Sequence, residues 1–110
     1  MEKHPLENMH IREILRIIYI KDYNIFDYLG QEEVNQYKKL IISSVMSTDA
    51  ALHKEVMKDF ADCELVPGDV DKILSFLVHA SDIGNGALRF DVYIEWALFV
   101  VQEFDNQFQL

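Results

Sequence analysis

The chain is 110 residues long, half of them apolar and 12% aromatic, which is enough to build a core and too much for a disordered segment. That length fits one domain or part of one. With 19 acidic against 10 basic residues the formal charge is −9, which argues against a nucleic-acid or anionic-membrane surface, since both need a basic face, and leaves cations and basic partners open.

Pro5 suits a first helical turn, and Leu6, Ile11, Ile14, Leu15 and Ile18 recur at helical spacing, so a first helix is predicted from about Pro5 to Ile20. It should end by Asp22-Tyr23-Asn24. Asn24 to Gly30 reads as a short connection whose Ile25 and Phe26 can plug the core, with Gly30 closing the turn. From Gln31 to about Phe60, apolar residues at Val34, Tyr37, Ile41, Val45, Leu52, Val56 and Phe60 form one long helical stripe with a single gap. Continuing the stripe past Val45 calls for an apolar residue at 48 or 49, where the sequence has Thr48 and Asp49. A polar pair on a core face must be satisfied, either by a hydroxyl bonded back to its own helix beside a capped carboxylate or by something outside that helix.

Asp62 to Gly68 reads as a loop, and Asp69 as the N-cap of a helix carrying Val70, Ile73, Leu74, Leu77 and Val78 toward Asp82. The helix breaks at Gly84-Asn85-Gly86, and a last helix is expected from near Leu88 to Phe108. Between Phe90 and Val101 only Asp91 and Glu95 are charged, so that helix is apolar nearly all round. Three other helices cannot easily surround it. The chain is therefore expected to be part of a larger fold or one member of an assembly, with self-association or a protein partner covering the last helix. No strand alternation is visible, so the fold class is all-α, a helical bundle.

Asp82 is the most suggestive polar residue, a hard oxygen ligand at the end of a largely apolar run. An aspartate there, followed by Gly-x-Gly, is either a ligand or a helix stop. His4, His10, His53 and His79 have no mutual zinc spacing, and the acidic cluster Asp59, Asp62 and Glu64 lacks the glycine and spacing of a calcium loop. There is no GxxxxGK[ST], HExxH or CxxC motif. The single cysteine, Cys63, excludes an internal disulfide framework and fits a reducing compartment, for which cytoplasmic is the default. The apolar runs fall short of the ~20 residues a membrane span needs, and Met1 to Pro5 has no signal-peptide architecture.

Three stretches share one pattern. HPLENMH occupies 4–10; NIFDYL at 24–29 is followed by LIISSVMSTDAALH at 40–53; and HASDIGN at 79–85 has Tyr93 eleven and Trp96 fourteen residues after Asp82. In that order they resemble the catalytic domain of class I 3',5'-cyclic nucleotide phosphodiesterases, an all-α metal-dependent hydrolase family that turns cAMP or cGMP into the 5'-nucleotide in signal transduction. The resemblance covers nearly the whole chain.

It implies divalent ions of the zinc or magnesium type in the complete domain, with Asp82 as a direct ligand and Glu7 and Thr48 acting through metal-bound waters. It also implies that Asn85 faces the base and that Tyr93, Trp96 and Val100 line the nucleotide pocket, with Ala97 replacing a commonly polar residue. Met9 stands where many relatives carry a second histidine, Gly86 replaces a usual proline, and the end EFDNQFQL departs from the family's EEFxxQGD. The family's metal-binding histidines and general acid lie upstream of LENxH, and its base-clamping glutamine and phenylalanine downstream of residue 110. The expectation is a middle section, 1–110, of a catalytic domain. Alone it should be inactive, with ion binding weak or absent. The alternative is a non-catalytic helical interaction or assembly subunit derived from that domain.

Overall fold

The computed structural model describes residues 3–109, which form five α-helices, with no strand among them. In chain order these are α1 (Pro5–Ile18), α2 (Gln31–Met46), α3 (His53–Ala61), α4 (Val70–Asp82) and α5 (Phe90–Phe108), separated by short 3-10 turns. The chain divides into two compact units, Met1–His79 and Ala80–Leu110.

In the first unit α1 opens on Pro5, whose missing N–H costs nothing in a first turn, and carries Glu7 near its N-terminus and Arg16 near its C-terminus, as the helix dipole favours. Ile11 and Ile18, seven residues apart, are its buried pair and face α2, while Leu6 is largely exposed. The helix stops two residues before the predicted Ile20. There the Ile20 N–H turns to Ile17 O at 3.0 Å and the backbone extends into the turn Lys21–Tyr23.

The connection to α2 departs from expectation at one of its two apolar residues. The Asn24 side chain accepts the Phe26 N–H at 3.0 Å, and this turn lays Phe26 on the Tyr37 ring with centroids 5.7 Å apart. Ile25 stays largely exposed at the edge of the apolar groove that Phe26 and Tyr37 also line, rather than plugging the core. Gly30 is the N-cap of α2, its N–H donating to Glu33 Oε2 at 3.0 Å. Glycine has no side chain to return the favour, so only half of a capping box is made.

The stripe from Gln31 to Phe60 is two helices, not one. Met46 ends α2, and Asp49 caps the turn Ala50–Leu52 by accepting the Ala51 N–H at 2.7 Å before α3 begins at His53. The gap at Thr48 and Asp49 is therefore a break, because a side chain that satisfies backbone donors locally competes with continuing the helix. Buried Ser47 binds across to α4, its one hydroxyl hydrogen shared between Ser44 O at 2.6 Å in α2 and Ser75 O at 2.9 Å, and Phe60 stacks on Phe76 with centroids 3.7 Å apart.

Asp69 precedes α4 as predicted, but its carboxylate is turned back, accepting the Glu64 N–H at 2.9 Å and Lys72 Nζ at 3.1 Å. It closes the loop rather than capping the helix that follows. The Lys72 hydrogen bond, then the Glu64 N–H, hold its carboxyl below the ordinary value.

The second unit holds the last residues of α4, the turn Gly84–Ala87 and α5. Leu88 and Arg89 are extended, so α5 starts at Phe90, two residues later than expected, with the Arg89 side chain paired to Asp91. Neither Gly84 nor Gly86 has a positive φ, and a Cβ at either would meet nothing within 4 Å, so the geometry of this turn demands glycine at neither position. Among its described residues α5 has no buried side chain. No helix in the described residues is long and apolar enough to cross a membrane.

Candidate functional site

Two groups of chemistry-bearing side chains are assembled, one in each unit. In the first, His4 sits in the left-handed region at φ 56° as the N-cap of α1, and its Nδ1 is in hydrogen-bond contact with Asp49 Oδ2. Glu7 lies one turn along α1. One ligand atom from each of His4, Glu7 and Asp49 lies within 4.8 Å of the others, and all three residues are half-buried. The hydrogen bond from His4, and after it the Ala51 N–H, hold the Asp49 carboxyl below its ordinary value against the opposing effect of burial.

Thr48 adjoins this cluster. Its hydroxyl donates to Val45 O at 2.8 Å, which spends the single hydrogen and leaves the oxygen as an acceptor. A water bound nearby would therefore have to donate to it, as a metal-bound water does. Of the residues singled out from sequence, Glu7 is thus brought to Asp49, the residue after Thr48, and His4 joins them. His4 was passed over because histidines were tested for spacing along the chain, and its partner lies 45 residues away. Asp49 was signalled by the gap in the apolar stripe.

Two histidines also meet: His53 Nδ1 lies 2.8 Å from His79 Nε2, so one ring donates and the other accepts. His79 is 2% exposed, and its Nδ1 has no hydrogen-bond partner among the described residues.

In the second unit, α4 delivers Asp82 at its last residue, the turn that follows presents Asn85, and α5 presents Trp96 and Val100 one turn apart. With Ser81, Gly84 and Leu88 they line a concavity of about 500 Å3. Four of the five residues expected here, Asp82, Asn85, Trp96 and Val100, therefore share one surface. Tyr93 is not among its lining residues and packs beside Phe90, with centroids 6.4 Å apart. Asp82 is exposed, a carboxylate that shares this surface with polar Ser81 and Asn85 and with apolar Leu88, Trp96 and Val100.

A family profile described as 3'5'-cyclic nucleotide phosphodiesterase matches residues 1–110. Among curated proteins, the chain is 31% identical over 108 residues to the dual specificity calcium/calmodulin-dependent 3',5'-cyclic nucleotide phosphodiesterase 1B of Bos taurus, covering 96% of this chain and 20% of that protein. It is 31% identical over 105 residues to the phosphodiesterase 1 of the same description from Drosophila melanogaster, covering 93% of this chain and 13% of that one. It is 31% identical over 106 residues to the cGMP-specific 3',5'-cyclic phosphodiesterase alpha of Plasmodium falciparum, covering 90% and 11%. No solved structure matches. The chain thus spans a fifth or less of these relatives' length, yet nearly all of it takes part in each match. It belongs to the 3'5'-cyclic nucleotide phosphodiesterase family.

Proposed function

We propose that this chain is a central section of a metal-dependent cyclic nucleotide phosphodiesterase catalytic domain, acting on cAMP or cGMP in the cytoplasm. The observation that carries the reading is the concavity that gathers Asp82, Asn85, Trp96 and Val100, residues otherwise unrelated except through the family pattern. Asp82 holds a divalent ion directly. Glu7 and the acceptor oxygen of Thr48 orient ion-bound water, Asn85 hydrogen-bonds the base, and Trp96, Val100 and Tyr93 provide apolar wall. When bound, such ions supply an activated water and neutralise phosphoryl oxygens. Within each unit taken by itself the donor chemistry fits: the exposed Asp82 carboxylate in one, and the Glu7 carboxylate and the Thr48 hydroxyl able to accept in the other, are hard oxygen groups.

In this reading the 110 residues do not suffice for turnover, since one direct ligand is fewer than the three or so protein ligands a catalytic centre uses. The apolar side of α5 is covered by the remaining helices of the complete domain. The test is a hydrolysis assay of the isolated chain with cAMP and cGMP, in magnesium and in zinc, beside an Asp82→Ala control. The expected result is no turnover above the control. Turnover that depends on Asp82 would overturn the section reading and make this chain an enzyme by itself.

A further inference from the structure

We infer that His4, Glu7 and Asp49 form a binding site for a divalent transition-metal ion such as Zn2+, with all three side chains as direct ligands. The site uses residues to which the family pattern gives no direct ligation, and it does not require Asp82. One imidazole nitrogen and two carboxylate oxygens make a donor set that suits zinc, cobalt and manganese, and three protein ligands with open remaining positions is a common zinc arrangement.

The three donors come from separate places in the sequence and converge because α1 packs on α2. His4 supplies Nδ1 from ahead of α1, Glu7 a carboxylate from its first turn, and Asp49 an Oδ2 from the break after α2. Their ligand atoms already lie within 4.8 Å of one another. Donors about 2.1 Å from a common ion are at most about 4.2 Å apart, so closure needs a movement on the order of an ångström. Rotation of the Glu7 side chain can supply it.

The surroundings are arranged as they are around metal ligands. Asp49 Oδ1 accepts the Ala51 N–H at 2.7 Å, which fixes the carboxylate plane and leaves Oδ2 for the ion, an outer hydrogen bond of the kind that orients ligating carboxylates. Two half-buried carboxylates this close repel one another, and the imidazole N–H and the Ala51 N–H on Asp49 offset this. An ion entering there takes over the position of the hydrogen that Nδ1 presents to Asp49, and in the neutral ring that hydrogen moves to Nε2.

The weak or absent binding expected from sequence counted Asp82 as the sole direct ligand. This site changes that count, and it shares Glu7 with the catalytic reading, so its test must separate the two. Zn2+ is titrated into the isolated chain by calorimetry, and Co2+ by visible absorption, for the parent chain and for His4→Ala, Glu7→Gln, Asp49→Asn and Asp82→Asn. The expected result is one ion per chain, weakened more than about 10-fold by each of the first three changes, beyond the threshold at which even an outer-shell partner is felt. Asp82→Asn should leave binding unchanged. Three outcomes would overturn the site: no stoichiometric binding to the parent chain, equal binding by a His4→Ala chain of unchanged helix content, or loss of binding on Asp82→Asn. The last would leave the catalytic reading standing while removing this one. Glu7→Gln changes no shape, so it remains informative if His4→Ala fails to fold.

Discussion

Self-association through α5 is the strongest physical consequence of the structure. Phe90, Ile94, Leu98, Val101, Phe104 and Phe108 fall within about a third of the helix circumference, and all six are exposed. Leu98 is 63% and Val101 64% exposed. Burying a whole aliphatic side chain contributes about 1.5 to 3 kcal/mol, so covering the exposed parts of these two contributes about 2 to 4 kcal/mol together. The perturbation is Leu98→Glu with Val101→Lys, both good helix formers, placed three residues apart so that they can pair. The isolated parent chain is expected to associate at micromolar concentration. The double variant should dissociate at roughly 30- to 700-fold higher concentration. Sedimentation velocity in physiological salt across a dilution series measures this, with binding of a dye to exposed apolar surface as a second readout. A parent chain that stays a compact monomer without dye binding would refute the reasoning and show that 110 residues close their own core.

Ser47→Ala should destabilise the chain by about 1 to 2 kcal/mol in denaturant unfolding, because it strips the Ser75 carbonyl of a buried cross-helix donor. Asp49 should contribute to acid sensitivity. Its folded carboxyl titrates below the 3.8 of a free aspartate, so its contribution is complete above that value and lost as pH falls through the lowered one. The destabilisation caused by Asp49→Asn should therefore be larger at pH 7 than at pH 3, and an equal effect at both would place the lowering of its pKa elsewhere than in the folded state.

The all-α class and most helix limits follow from apolar spacing, because periodicity of 3.6 is a local property of the chain; the number of helices does not, since the spacing calls for four and there are five. The failures have specific local causes. The stripe from Gln31 to Phe60 runs in phase across a break, and the phase hides it; only the polar pair Thr48 and Asp49 marks the place where a carboxylate caps a new turn. Ile25 and Phe26 are equally apolar, and an Asn24 turn decides which of them packs. In the second unit, Asp82, Asn85, Trp96 and Val100 were legible as a group only through the family resemblance, and they line one concavity. His4 with Asp49, and His53 with His79, were not, since each pair is brought together only by packing of distant segments.

The central claim is that these residues are a working section of a cyclic nucleotide phosphodiesterase. The direct measurement is to transplant this chain into the bovine 1B relative, in place of the 108 residues it matches, and to assay cAMP and cGMP hydrolysis with and without Asp82→Ala. Hydrolysis by the transplant, abolished by Asp82→Ala while the fold is kept, is the expected result. A folded, ion-loaded transplant that is inactive, or one that works equally well without Asp82, would contradict it.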